Sequence, residues 1–139
     1  MPSMPANSSN DCPQQYLYEY AVVQFVPDIE RGEFINIGLV MMCKKQRWLR
    51  TKFSVNSGKV SAICPDVDLD LLQQQIVGFE RVGAGDSMNG GSIAALEPHE
   101  RFRWLTAVRS ACLQTSRPHA GHTSNLDNTF SRLFASLVQ

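Results

Sequence analysis

At 139 residues, 43% apolar and 19% charged, the chain has the composition of one globular domain, long enough to bury roughly two thirds of its unfolded surface without a metal or a crosslink. Thirteen Lys and Arg residues balance thirteen Asp and Glu, so no net field draws it to nucleic acid or to a membrane, and such a partner must be met by a local patch. No apolar run approaches the ~18 residues of a membrane span. Residues 1–15 lack the charged start and apolar stretch of a signal peptide and read as a disordered tail ahead of a single domain over 16–139. Cys12, Cys43, Cys64 and Cys112 are widely spaced in a chain without an export signal, so free thiols and a cytoplasmic location are expected.

Tyr16 to Val26 alternates aromatic and β-branched residues and predicts a strand closed by a turn over Pro27 to Gly32. A second strand is expected from Glu33 or Phe34 to Cys43. Strict alternation sets Ile35, Ile37, Leu39 and Met41 on one face and Phe34, Asn36, Gly38, Val40 and Met42 on the other. A third strand aims Leu49, Thr51, Phe53 and Val55 inward and Trp48, Arg50, Lys52 and Ser54 outward. The period then changes. Lys59 to Ile63 reads as one helical turn ended by Pro65, and Asp68 to Gly83 as a helix with Leu69, Leu72, Ile76 and Phe79 on its stripe. The glycine-rich stretch from Gly83 to Ser92 is expected to cross the molecule. Pro98 opens a helix through Leu105. Ala111 to Thr115 predicts a fourth strand, and Ser124 with Asp127 resembles a capping box for a last helix whose stripe is Leu126, Phe130, Leu133, Phe134 and Leu137. Strands first and helices after predict an α+β domain, an antiparallel sheet of about four strands with helices packed mainly on one face.

Two stretches carry more polar chemistry than their elements need. One is the turn Glu30-Arg31-Gly32-Glu33-Phe34-Ile35-Asn36, where a half-buried asparagine amide must find partners. The other is Arg109-Ser110 with Gln114, Ser116 and His119, a guanidinium, hydroxyls, an amide and an imidazole of the kind that completes an anion's shell. Alternation sets Ser110, Cys112, Gln114 and Ser116 on one strand face and Arg109, Ala111, Leu113 and Thr115 on the other.

Tyr18-Glu19-Tyr20-Ala21-Val22-Val23-Gln24-Phe25-Val26-Pro27, continuing through that first turn, resembles the start of a bacterial family, domain of unknown function 3037. Arg101-Phe102-Arg103-Trp104-Leu105-Thr106-Ala107, followed by Arg109-Ser110, Gln114, Ser116 and His119-Ala120-Gly121, resembles the second signature of the same family. The resemblance spans residues 16 to 138. Val108 stands where family members usually have proline, and Arg117 and His122 replace residues that are typically apolar or proline. Members are often encoded beside a HipA-like kinase, so the resemblance implies such a kinase as partner.

The expected ligand- or partner-binding residues are therefore Glu30, Arg31, Glu33, Asn36, Arg109, Ser110, Gln114, Ser116 and His119. No catalytic residue is assigned. Neither Ser110 nor Ser116 sits in a Gly-x-Ser-x-Gly elbow. His119 and His122 lack a third ligand at a zinc spacing, and Asp66, Asp68 and Asp70 meet Leu71 and Val77 where a calcium loop needs glycine and glutamate. No metal or cofactor is expected. Lys44, Lys45, Arg47, Arg50 and Lys52 place five positive charges within nine residues around Trp48, the one strong local field. The leading expectation is a non-enzymatic binding or regulatory module working with a HipA-like kinase. The alternatives are a small enzyme using Arg109 to hold a phosphorylated or nucleotide-like, anionic substrate, and a nucleic-acid binder acting through the 44–52 hairpin.

Overall fold

The computed structural model describes residues 14–88, 91–107 and 112–139. The expected tail falls largely on residues 1–13, outside the described residues, as do Cys12 and Val108 to Ala111. Strands β1 (Tyr16–Asp28), β2 (Glu33–Cys43), β3 (Trp48–Phe53), β4 (Leu113–Thr115) and β5 (His119–Thr123) form one antiparallel sheet. The helices are α1 (Ser57–Ile63), α2 (Leu69–Ala84), α3 (Pro98–Ala107) and α4 (Leu126–Leu137).

β1 is long enough for two short strands to share one of its edges. β5 pairs with Tyr16 to Tyr20 and β4 with Val23 to Phe25, while β2 and then β3 build out the other edge. The sheet is thus four strands wide along its length, although five strands make it. Between β4 and β5, Ser116 keeps the edge of β1 satisfied: its Oγ accepts the Val22 N–H at 2.9 Å and its own N–H donates to the Val22 carbonyl at 2.8 Å. β5 was not expected from His-Ala-Gly-His-Thr, which has no apolar alternation; the vacant edge of β1 imposes the strand on it.

Three helices cover one face, as the α+β reading expects. Val60 of α1, Leu72, Ile76, Phe79 and Val82 of α2, and Phe102 and Leu105 of α3 bury against Ala21, Val23, Phe25, Val40 and Met42. Among the described residues α4 is the helix that covers the other face, setting Phe130 and Phe134 on Tyr18, Leu39 and Met41. Burying each of those phenylalanines contributes about 1.5–3 kcal/mol.

Strict alternation along β2 fails at one place. Val23 pairs with Gly38 but Gln24 with Asn36, so Ile37 is an extra residue, a β-bulge. The bulge turns Ile35 and Ile37 into the core with Val40, and turns Asn36 toward α4, the face of Leu39 and Met41. The expected face sets for β2 are corrected accordingly. Gly38 next to the bulge is required by a close approach, since a Cβ there would lie 2.6 Å from the Phe53 ring. On β3 Leu49 and Phe53 pack on the core as expected and Arg50 and Lys52 are exposed, lying over the Phe130 and Phe134 rings, whereas Trp48 is half-buried and meets Phe130 edge to face at 6.2 Å.

Helix ends follow local chemistry. Asp68 accepts the Leu71 N–H at the start of α2, and Gly85, at φ 73°, closes it in the left-handed region. Arg101 of α3 donates to the Val82 and Gly83 carbonyls at 2.9 and 2.8 Å and to Leu96 at 3.0 Å, tying α2, the connection and α3 together. The 85–97 connection, whose residues 89–90 are outside the described residues, returns the chain to the same face through a 3-10 turn at Ser92–Ala95 packed on α2 and α3. It does not cross the molecule as its length suggested. The cap of α4 is Asn125, whose side chain accepts the Asn128 N–H at 3.0 Å, one residue later than the expected Ser124.

Candidate functional site

Cross-strand pairing brings the two polar stretches onto one row. Gln24 of β1 pairs with Asn36 on one side and with Gln114 on the other, and directly opposed residues share a face. Asn36 and Gln114 are therefore two strands apart, about 10 Å. Alternation from the core residues Val23 and Phe25 puts this amide row on the α4 face. Two positions along the same face, past Val22, His119 pairs with Tyr20, their rings 5.3 Å apart.

Asn36 sits at the best-formed end of the row. Its Nδ2 donates to the Leu137 carbonyl of α4 at 3.0 Å, while its Oδ1 is buried and has no hydrogen-bond partner among the described residues. Ile35, Ser54, Asn56, Lys59 and Val138 join Asn36 around a cleft of about 250 Å³. A buried acceptor left unpaired costs ~1–3 kcal/mol, which a donor entering the cleft would offset. The bulge at Ile37 is what aims the amide there.

The remaining expected residues divide. Arg31 and Glu33 form an exposed ion pair at 2.9 Å, and the Glu30 N–H donates to Asp28 at the same turn. Ser116 spends its hydroxyl on the β1 backbone. Arg109 and Ser110 lie outside the described residues. His119 and His122 are three apart on a strand and pair with Tyr20 and Leu17, which face opposite ways, so they cannot share an ion. No group of three or more His, Cys, Asp or Glu is placed to hold a metal among the described residues. Cys112 does not follow the expected alternation with Gln114; it packs into the core of Leu113 and its Sγ donates to Gln75 at 3.0 Å, burial raising its thiol pKa. In the basic hairpin, Arg47 pairs with Glu97 at 2.6 Å and Arg50 with Asp127 at 3.1 Å.

The model of a family described as protein of unknown function (DUF3037) matches residues 20–138. The chain belongs to this family. No curated protein and no solved structure matches it. Both polar stretches lie inside the family match, so the amide row is built wholly from the family's own domain. No helix among the described residues is long and apolar enough to cross a membrane.

Sequence reasoning left two participants out. Gln24 completes the row, and its signal was a lone amide on a strand otherwise apolar from Ala21 to Val26. The other is Glu19, which takes a two-pronged ion pair from Arg103 of α3 at 2.8 and 2.6 Å. Glu19 alternates with Ala21 and Val23, so a carboxylate in the core-facing stripe announces a missing cation.

Proposed function

We propose that this DUF3037 family member is a non-enzymatic binding or regulatory module of the bacterial cytoplasm that works with a HipA-like kinase. Its partner surface is the α4 face and adjoining turn, from Glu30 to Asn36 and from Gln114 to His119. The observation that carries the reading is the row Asn36–Gln24–Gln114, where both polar stretches contribute side chains to one face. Amides donate and accept hydrogen bonds but do not titrate, so the row suits recognition rather than proton transfer. The kinase as partner rests on the family resemblance. Engagement of Arg47 and Arg50, two of the five hairpin cations, by carboxylates, and of the Trp48 indole by Phe130, counts against a nucleic-acid role for the hairpin.

The test is a binding titration of the chain with a purified HipA-like kinase encoded beside a family member. Glu33→Ala, Gln114→Ala and His119→Ala are expected to keep the far-UV circular dichroism and Tm while weakening the complex about tenfold or more. Undiminished affinity in all three variants would sink the proposal.

A further inference from the structure

A second cleft, on the opposite face of the sheet from the amide row, has the chemistry of an anion site. It encloses about 260 Å³ where the first residues of β1, the end of β2 and the start of α3 meet, lined by Leu17, Tyr18, Glu19, Met42, Lys44, His99 and Arg103. His99 and Arg103 are four residues apart on α3 and so share one helix face. Lys44 opens the turn after β2. With one carboxylate against a guanidinium, an ammonium and an imidazole, the cleft carries a positive excess even when His99 is neutral. Glu19 does not use up the guanidinium: the two-pronged pair occupies two of its five N–H groups and fixes the plane of the rest. The apolar lining is equally specific. Met42 is 3% exposed and forms the floor, whereas Leu17 is 57% exposed at the rim, a large apolar side chain held in solvent. Apolar walls with a few convergent polar groups are the usual make-up of a small-molecule site.

We propose that this cleft binds a small amphiphilic anion, its phosphate or carboxylate head against Lys44, His99 and the outer N–H groups of Arg103 and its short apolar chain over Leu17 and Met42. The volume fits a head with a few carbons, which favours a small molecule over a macromolecular partner. This inference is independent of the kinase reading, since it uses different residues on a different face.

The experiment is a nuclear magnetic resonance titration of the isotopically labelled full chain with n-butyl phosphate, pentanoate and inorganic phosphate. Either organic anion is expected to give saturable shifts confined to Leu17, Met42, Lys44, the His99 ring and Arg103, and to bind more tightly than inorganic phosphate. The two organic anions distinguish a phosphate from a carboxylate head. A Lys44→Ala, His99→Ala double variant leaves the Glu19–Arg103 pair in place, so it is expected to fold with unchanged Tm yet bind about tenfold more weakly. Leu17→Ser is expected to remove the advantage of n-butyl phosphate over inorganic phosphate. Absent or unsaturable shifts with both organic anions, undiminished binding by the double variant, or n-butyl phosphate binding no better than inorganic phosphate would overturn the proposal.

Discussion

Glu19 shows how one residue can join two distant segments and leave a signature in pH. The hydrogen bonds from Arg103, helped by its charge and opposed by burial, hold the Glu19 carboxyl below the ordinary carboxylate range. A carboxyl whose pKa is depressed on folding adds stability above its unfolded pKa and loses it as pH falls through the folded value. Arg103 is more than half exposed, so solvent screening keeps the contribution small. Glu19→Gln is therefore expected to cost about 1 kcal/mol or less at neutral pH, with the gap to the parent closing as pH falls through the carboxylate range. Urea denaturation at several pH values checks this, and a gap that stays constant into acid would contradict it. At this scale the sequence was only partly legible. Asn36 stood out because an amide on a strand must be paired, and it is indeed tied to α4. Ser116 also stood out, yet its hydroxyl serves the β1 backbone, because the break between β4 and β5 needs a local acceptor that no strand pattern reveals. Glu19 went unremarked because its partner is 84 residues away.

At the scale of elements, patterning located most helices and strands, but the devices that trim them came from tertiary structure. Alternation in β2 is correct on either side of Ile37 and wrong across it, since a bulge adds one residue and exchanges the faces. Gly38 is the trace it leaves in the sequence. Gly38→Ala would press a methyl group 2.6 Å from the Phe53 ring, which itself packs edge to face on Phe79 at 5.5 Å. The expected loss is about 1–3 kcal/mol, measured by chemical denaturation, and a neutral substitution would show that the ring yields without disturbing the core. The start of α4 gives a sharper contrast. Ser124 with Asp127 has the capping-box spacing, yet the chain caps α4 one residue later, with Asn125 accepting the Asn128 N–H. Asn125→Ala is expected to cost about 1 kcal/mol, whereas Ser124→Ala stays within about 0.5 kcal/mol. The reverse ranking of the two Tm values would contradict the assigned cap.

For the whole molecule, the α+β class followed from the order of patterns along the chain, and the antiparallel sheet with three helices on one face agrees with it. The fifth strand was hidden because its five residues carry no apolar stripe and exist as a strand only through the long edge of β1. The same strand order aligns the two polar stretches. β1 lies between β2 on one edge and β4 and β5 on the other, so Asn36 and Gln114 flank Gln24 in one row although some eighty residues separate them. That alignment was not readable from the chain, since strand order is set by long-range pairing. The proposed partner of this face is a HipA-like kinase. The most direct test is hydrogen exchange of the chain with and without the purified kinase. Slowed exchange is expected, confined to residues 30–36 and 114–119. Unchanged exchange throughout, or protection only at the 44–52 hairpin, would contradict the proposal.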